Sequence, residues 1–502
     1  MPDIGLVGLW LAGQTGFRRV LIWAGIGALS ALGQAPLGWY PLTVFGLAVA
    51  FLGFAATTTR REAFWIGWSF GLGYFGLSLS WIVEPFLVDV ARHGWMAPFA
   101  LLGMAGGLAL FWGGGFALGQ TRRAPLWLGW SVAMTAVELA RAYILTGFPW
   151  AMLSYVWLET PLLQLVALIG PHGLTLLTLL VLSFSVSLRR WGAAFAGAAG
   201  GVAVGVGIAI TPAPQDADAN RPLVRLIQPN AEQHLKWDPD WMPVFFERLL
   251  SMTAAPSDRR PDIVIWPETS VPALLRDAGP AFDRMEEAAA GRPVIAGVQR
   301  FEGRRLFNSM IALGQDGAFL ARYDKHHLVP FGEYIPGGDL LADLGLPGLA
   351  SREGQGYSSG PGAEVLDLGD LGKVLPLICY EAVFPQDVSA MPERADWIVQ
   401  ITNDAWFGKV SGPHQHLAQA RFRAVEQGLP MARVANTGIT AMIDPAGRLI
   451  DAIPLGELGF IDVALPAPQK PTLYSRIGDL GVFMVLLGLT VGSLAFRHRN
   501  SD

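Results

Sequence analysis

The chain has 502 residues, 52% of them hydrophobic and 15% charged, with a mean hydropathy of +0.38. That composition excludes an ordinary soluble protein and assigns a large part of the chain to lipid. A net charge of −5 with no long Lys/Arg tract leaves no basic surface of the kind nucleic acid needs.

A bilayer core about 30 Å thick needs about 20 mostly apolar residues per helical span. Eight stretches read as spans: Val20–Ala35, Leu42–Ala56, Ala63–Val83, Trp95–Leu118, Leu126–Leu145, Leu162–Leu188, Trp191–Ile210 and Gly481–Phe496. Trp and Tyr cluster near several of their ends, as in an interfacial belt. Arg18 and Arg19 precede the first span, Arg60 and Arg61 follow the second, and Arg122 and Arg123 follow the fourth. Arg189 and Arg190 follow the sixth, and Arg497 and Arg499 the last, so all five sites fall on one side. Basic flanks stay in the cytoplasm, which predicts both termini there and the long segment between the seventh and eighth spans outside. The alternative for the first run, a signal peptide cleaved near Ala31–Ala35, would remove a span that the charge pattern uses. Glu138 and Arg141, three apart in the fifth span, are expected to pair internally rather than to meet a phospholipid headgroup. Gly170–Gly173 is expected to mark a kink or interfacial bend.

The Pro/Ala/Asp-rich run Thr211–Asn220 reads as a linker, after which the texture changes. From Arg221 to Pro466, short β-rich runs alternate with turns: Leu223–Ile227, Asp262–Trp266, Val294–Val298, Ser309–Leu313, Val374–Ile378, Trp397–Thr402, Met431–Ala435 and Thr440–Ile443. Trp241–Met252 and His414–Gln427 have helical spacing. The chain therefore divides into residues 1–212 with seven spans, an extracytoplasmic α/β domain at 221–466, and a last span with a cytoplasmic tail at 476–502.

A single cysteine excludes an intrachain disulfide and any Cys-rich metal site, so Cys379 is either an inert small hydrophobe or a reactive thiol. It follows the run VLPLI, as Glu268 follows DIVIW, so both side chains emerge at carboxyl ends of strands, where α/β folds place reacting groups. Lys325 lies on a loop after another short β-like segment. A free thiol has a pKa near 8.5 and needs a neighbouring base or cation to act at neutral pH. Glu268 is suited to take the proton, Lys325 to stabilise the thiolate and then the oxyanion, and the backbone N–H of Tyr380 to be a second oxyanion donor. Singly these residues prove little: a lone Cys after a buried strand is more often structural, a Glu after Trp-Pro can cap a helix, and a loop Lys is usually solvated. The spacing of His326, His327, His414 and His416 fits no familiar metal-ligand set.

The order WPE, DKHHLVPFGEY, CYE resembles the nitrilase superfamily, whose catalytic triad is Glu, Lys and Cys. QPNAEQHLKWDP from Gln228, FNSM from Phe307, ITNDAWFG from Ile401, GPHQH from Gly412, RVANTGIT from Arg433 and TGFPW from Thr146 extend the resemblance. Over nearly the whole chain these runs are similar to the membrane-embedded branch of that superfamily, the bacterial apolipoprotein N-acyltransferase family. The resemblance implies a polytopic α-helical membrane domain of about eight spans joined to a nitrilase-like α-β-β-α sandwich, in the inner membrane with the sandwich on the periplasmic side. It implies acyl transfer from a glycerophospholipid to a cysteine thioester, then to the α-amino group of a diacylated apolipoprotein, with no metal and no other cofactor; nothing in the sequence demands more than a monomer. Glu268 then becomes the general base, Lys325 the electrostatic stabiliser and Cys379 the nucleophile. Glu333 and Glu381 support them beside Tyr380, while Trp237, Trp406 and Asn308 fall on motifs that meet substrate.

A physical check supports a lipid donor. At about 0.8 kcal/mol per CH₂, taking a chain of about sixteen carbons into water costs on the order of 12 kcal/mol. Seven preceding spans let that chain stay in an apolar cleft, which gives the membrane part a substrate role beyond anchoring. Two alternatives use the same sequence: a membrane-tethered amidase in which water resolves the thioester, and a transporter or sensor whose α/β domain only binds a ligand. The second predicts that Cys379→Ala keeps function.

Overall fold

A computed structural model describes residues 14–121, 124–214, 220–336 and 356–498. The chain forms two compact units, one of Met1–Thr211, Val410–Ala418 and Thr472–Asp502, the other of Pro212–Lys409 and Gln419–Pro471.

The first unit is helical: α1 Gly16–Ala31, α2 Tyr40–Ala56, α3 Arg60–Ser78, α4 Ala97–Gly119, α5 Leu126–Tyr143, α6 Val166–Ser187, α7 Gly192–Ile210 and a terminal helix Leu480–His498. One helix occupies each of the eight predicted stretches, but length and composition support fewer crossings. Among the described residues, Val90–Gly119, Pro161–Ser187 and Gly192–Ile210 are long and apolar enough to cross a membrane. A fourth is added if Arg60–Ser78 and Ser80–Leu87, bent by 62°, count together. The shortfall has a physical reason: α1 and α2 hold 16 and 17 residues, short of a core of about 30 Å at about 1.5 Å per residue. Arg18 and Arg19 lie inside α1 rather than ahead of it. Arg122, Arg123 and Arg499 lie outside the described residues, as do the side chains of Arg189 and Arg497.

Two local expectations for this unit are met. Arg141 Nη2 lies 2.8 Å from Glu138 Oε2, both side chains buried in α5, and Trp112 Nε1 of α4 donates to Glu138 Oε1 at 2.7 Å. The helix path breaks at Gly170, with φ 66° and ψ 177°, followed by Pro171. Glycine is required there twice over, by the left-handed φ and by the Tyr474 ring, 2.1 Å from where a Cβ would sit.

The second unit contains two six-stranded sheets. The first has the order β12-β1-β2-β3-β4-β5, with β1 Leu223–Gln228, β2 Ile263–Ile265, β3 Val294–Glu302, β4 Arg305–Leu313, β5 Phe319–Asp324 and β12 Gly459–Ala464. The second has the order β11-β10-β9-β8-β7-β6, with β6 Leu366–Asp367, β7 Lys373–Ile378, β8 Trp397–Thr402, β9 Met431–Ala435, β10 Thr440–Ile443 and β11 Leu449–Ile453. All eight predicted strands are present. The segments left out, β6, β11 and β12, and β5, which read only as a short β-like run, are two-residue or partly exposed elements. They lack the continuous apolar run that marks the buried strands.

The sheets face each other, with Gln228 Oε1 of β1 accepting from the backbone N–H and Oγ1 of Thr440 on β10 at 3.1 and 2.6 Å. Helices α8 Met242–Ala254 and α9 Gly279–Ala289 cover the first sheet, where Phe246, Leu249 and Met285 pack with Ile227, Val264, Trp266 and Ala296. Helix α10 Gly412–Gln427 buries Phe422 and Val425. Sequence periodicity located α8 and α10 and missed α9, which opens on Gly-Pro and buries only Met285 and Ala289.

Candidate active site

Three strand ends supply the predicted triad. Glu268 lies three residues beyond β2, Lys325 directly follows β5, and Cys379 directly follows β7. β2 pairs in parallel with β3 and β7 in parallel with β8, so Glu268 and Cys379 each leave the carboxyl end of a parallel-paired strand.

Lys325 is buried between two carboxylates, its Nζ 2.8 Å from Glu333 Oε1 and 4.0 Å from Glu268 Oε1. Asn308 Nδ2 on β4 donates to Glu268 Oε1 at 2.6 Å and reaches Glu333 Oε1 at 3.4 Å. The structure thus ties Asn308 to the two acids. The backbone N–H of Val329 donates to Glu333 Oε2 at 2.8 Å, which fixes that acid to its own loop.

Burial raises the Glu268 carboxyl above its ordinary range, with the Lys325 charge opposing the shift. Burial alone would lower Lys325, but the facing charges of Glu333, Cys379 and Glu268 hold it above its ordinary value and keep it cationic. Burial, reinforced by Glu268, pushes the Cys379 thiol well up, against the pull of Lys325.

Cys379 has a left-handed φ of 52°, a strained conformation for a residue with a Cβ. Its carbonyl accepts from Gln400 Nε2 at 3.1 Å, and Gln400 Oε1 accepts from Arg433 Nη1 at 2.6 Å. Arg433 also pairs with buried Asp404, which accepts from Thr402 Oγ1 at 2.8 Å. Residues of ITNDAWFG and RVANTGIT thus back the sulfur-bearing turn, a role that the sequence left unassigned. Glu381 clamps that turn to the lysine loop: Oε2 accepts from Ile378 N at 2.7 Å, and Oε1 from Tyr323 Oη at 2.6 Å and His326 N at 2.8 Å. Tyr380 is buried, its ring edge-on to His327 and Phe384.

Glu268 is set from below by Gly297 of β3. A Cβ there would lie 2.3 Å from Thr269 N and 2.7 Å from Glu268 Cα, so no larger residue fits. Lys236, which sequence reasoning did not single out, donates from Nζ to the Glu268 carbonyl at 3.0 Å and to Thr269 Oγ1 at 2.8 Å. A small cavity beside the acid is lined by Lys236, Trp237, Phe245, Glu268, Thr269 and Asn436, among others. Trp237 is half-buried there. Trp406, also half-buried, lies on the short turn Asp404–Phe407 and does not line that cavity.

Among the described residues, no group of three or more His, Cys, Asp or Glu is arranged to hold a metal ion. His326 and His327 are instead engaged with Glu381 and Asp387, and His416 stacks on Trp150.

Residues 26–184 match the family described as apolipoprotein N-acyltransferase N-terminal domain, and residues 223–469 match the family described as carbon-nitrogen hydrolase. An apolipoprotein N-acyltransferase of Rhodopseudomonas palustris is 37% identical over 517 residues, covering 96% of each chain. One of Caulobacter vibrioides is 38% identical over 487 residues, covering 92% of this chain and 91% of the other. Among solved structures, an amidase from Nesterenkonia sp. is 18% identical with a TM-score of 0.39, covering 54% of this chain and 99% of the amidase.

Proposed function

The chain belongs to the apolipoprotein N-acyltransferase family, and from that premise we propose that Glu268, Lys325 and Cys379 carry its acyl transfer through a thioester. As a member of that family it N-acylates apolipoproteins during lipoprotein maturation, with a lipid as acyl donor, and it is an inner-membrane protein.

In the first half-reaction Glu268 takes the thiol proton while Cys379 Sγ attacks an ester carbonyl of a glycerophospholipid. The oxyanion of the tetrahedral intermediate faces the Lys325 ammonium and the Tyr380 N–H. Collapse breaks the ester C–O bond, Glu268 returns its proton to the departing lysophospholipid oxygen, and the acyl chain remains on sulfur. In the second half-reaction the α-amino group of the diacylglyceryl-cysteine attacks the thioester. Glu268 takes the amine proton and passes it to the departing Cys379 sulfur, leaving an amide and the free thiol. Glu333 and Glu381 hold the lysine and the cysteine turn, and Asn308 orients both acids. Trp237 and Trp406 border the substrate path.

The observation that carries this reading is the buried cation of Lys325 set between Glu333 and Glu268, with both Lys325 and Glu268 acting electrostatically on Cys379. The arginine pattern further supports about eight spans and a periplasmic catalytic domain, and the change in texture after the Thr211–Asn220 run supports domain limits at 1–212, 221–466 and 476–502. The reaction needs one copy of the chain.

Mass spectrometry of the intact protein after exposure to phospholipid tests the reading. One acyl adduct mapping to Cys379, stable in water and discharged by a diacylated lipopeptide, is expected. Discharge by water alone at the same rate would convert the assignment to a hydrolase, and an adduct on any other residue would sink the triad.

A further inference from the structure

We propose that Lys236 is a positioning residue for the first half-reaction, its ammonium holding the strained Glu268–Thr269 turn so that the carboxylate meets Cys379. The proposal rests on the triad reading and deepens it.

Thr269, directly after the base, has a φ of 45°, a left-handed conformation that a β-branched residue adopts only under constraint. The Gly297 backbone lies so close to the turn that no Cβ fits between them. Lys236 Nζ spans the two residues, accepted by the Glu268 carbonyl and the Thr269 hydroxyl. No carboxylate forms an ion pair with this ammonium among the described residues, although it is only 8% exposed. A buried ammonium spent on a carbonyl and a hydroxyl is costly unless the geometry it enforces is needed.

The lysine is itself held in register with the second sheet. Asn436, just past β9, accepts from Ala231 N at 2.9 Å and donates to the Ala231 carbonyl at 2.8 Å and to Asn403 Oδ1 at 2.8 Å. Asn403 Nδ2, just past β8, donates to Gln233 Oε1 at 2.7 Å. The loop bearing Lys236 is therefore fixed to the sheet that carries Cys379, and the lysine transmits that register to the base. Burial lowers the Lys236 ammonium to about 8, with the charges of Glu268 and Cys379, the titratable groups facing it, pulling the other way. The clamp thus weakens on the alkaline side of neutrality, where Lys325 stays charged.

Acylation of Cys379 by a synthetic diacyl glycerophospholipid, with full-length protein in detergent and no amine acceptor, isolates this step. The wild-type rate is expected to fall as pH rises through about 8. Lys236→Met is expected to be slower by about 100-fold, the cost of a misplaced base, with the half-saturating lipid concentration unchanged. Lys236→Arg, which stays charged, should recover most of the rate and lose the alkaline fall. A Lys236→Met rate within about threefold of wild type, or an unchanged alkaline fall in Lys236→Arg, overturns the proposal. If Lys236→Met does not fold, the arginine comparison decides alone. Adduct mapping keeps the two readings apart: normal acylation of Cys379 in both variants removes only the role of Lys236, whereas an adduct elsewhere removes the triad.

Discussion

Each unit of the molecule buries a carboxylate against a cation, and the two arrangements differ in how completely they are paired. In the helical unit Arg141 meets both oxygens of Glu138, and its Nη1 is accepted by the carbonyls of Phe148 and Trp150. Trp112 adds a further donor to the same carboxylate. One acid, one base and local backbone close the arrangement. In the α/β unit two acids share Lys325, with Glu333 at 2.8 Å and Glu268 at 4.0 Å. Glu268 is the under-compensated member, and burial raises its proton affinity. Burial of charge is common to both sites, so it does not by itself mark chemistry. What separates the two sites is a charge left incompletely paired beside the group that the proposed mechanism has it deprotonate.

The sharpest way to break that contrast is Cys379→Ala, which is expected to abolish both the acyl adduct and transfer to a lipopeptide while the protein still purifies folded. Next in size is Glu268→Gln, which keeps the shape but removes the proposed base; a loss of about 10²–10⁴-fold in the acylation rate is expected. Because burial raises the Glu268 pKa, the acid limb of the wild-type pH–rate profile should lie above 4.5, the ordinary value for such a carboxyl. A limb below that value would mean that Lys325 and Asn308 compensate Glu268 fully. Arg141→Met should do the reverse. It leaves Glu138 buried without its cation and is expected to cost about 3–5 kcal/mol of stability, read by thermal unfolding in detergent. The acylation rate per folded molecule should stay within about threefold of wild type. A rate loss as large as that of Glu268→Gln would erase the distinction between the two sites.

The same contrast explains what could be read without coordinates. Glu268 and Cys379 were legible because each ends an apolar strand whose run is continuous, so the position of the side chain follows from strand geometry. Glu138 and Arg141 were legible because a spacing of three on a helix brings side chains together. Lys236 was not, since its partners are a carbonyl and a hydroxyl more than thirty residues away, and nothing in AEQHLKWDP shows the loop folding back on Glu268. Gln400, Arg433 and Asp404 were hidden for the same reason, their roles being set by pairing between β8 and β9. An apolar run and a helix long enough to cross are different quantities, so the eight runs legible in the sequence correspond to three or four helices that meet the length criterion among the described residues. The 16 residues of α1 show the gap.

A third charge cluster gives the smallest effect and tests the rule from the other side. His326 sits between two carboxylates, Nδ1 2.8 Å from Glu381 Oε1 and Nε2 3.6 Å from Asp387 Oδ2. Burial opposes its charge, yet hydrogen bonds to Asp387 and Glu381 raise it to about 10. Here both acids are satisfied, since Glu381 also accepts from Tyr323 and Ile378, and Asp387 from His327. The rule therefore assigns this cluster to stability. A cation whose pKa rises on folding stabilises the folded state fully below its unfolded value, near 6.5, and loses that contribution as pH climbs towards about 10. His326→Gln should thus lower the apparent Tm most below pH 6.5, by about 2–4 °C per kcal/mol lost. The difference from wild type should shrink steadily and vanish above pH 10. A difference that is constant across that range would show the imidazole to be neutral in the folded protein. A collapse of the acylation rate in molecules that remain folded would place His326 with Glu268 on the reactive side of the comparison.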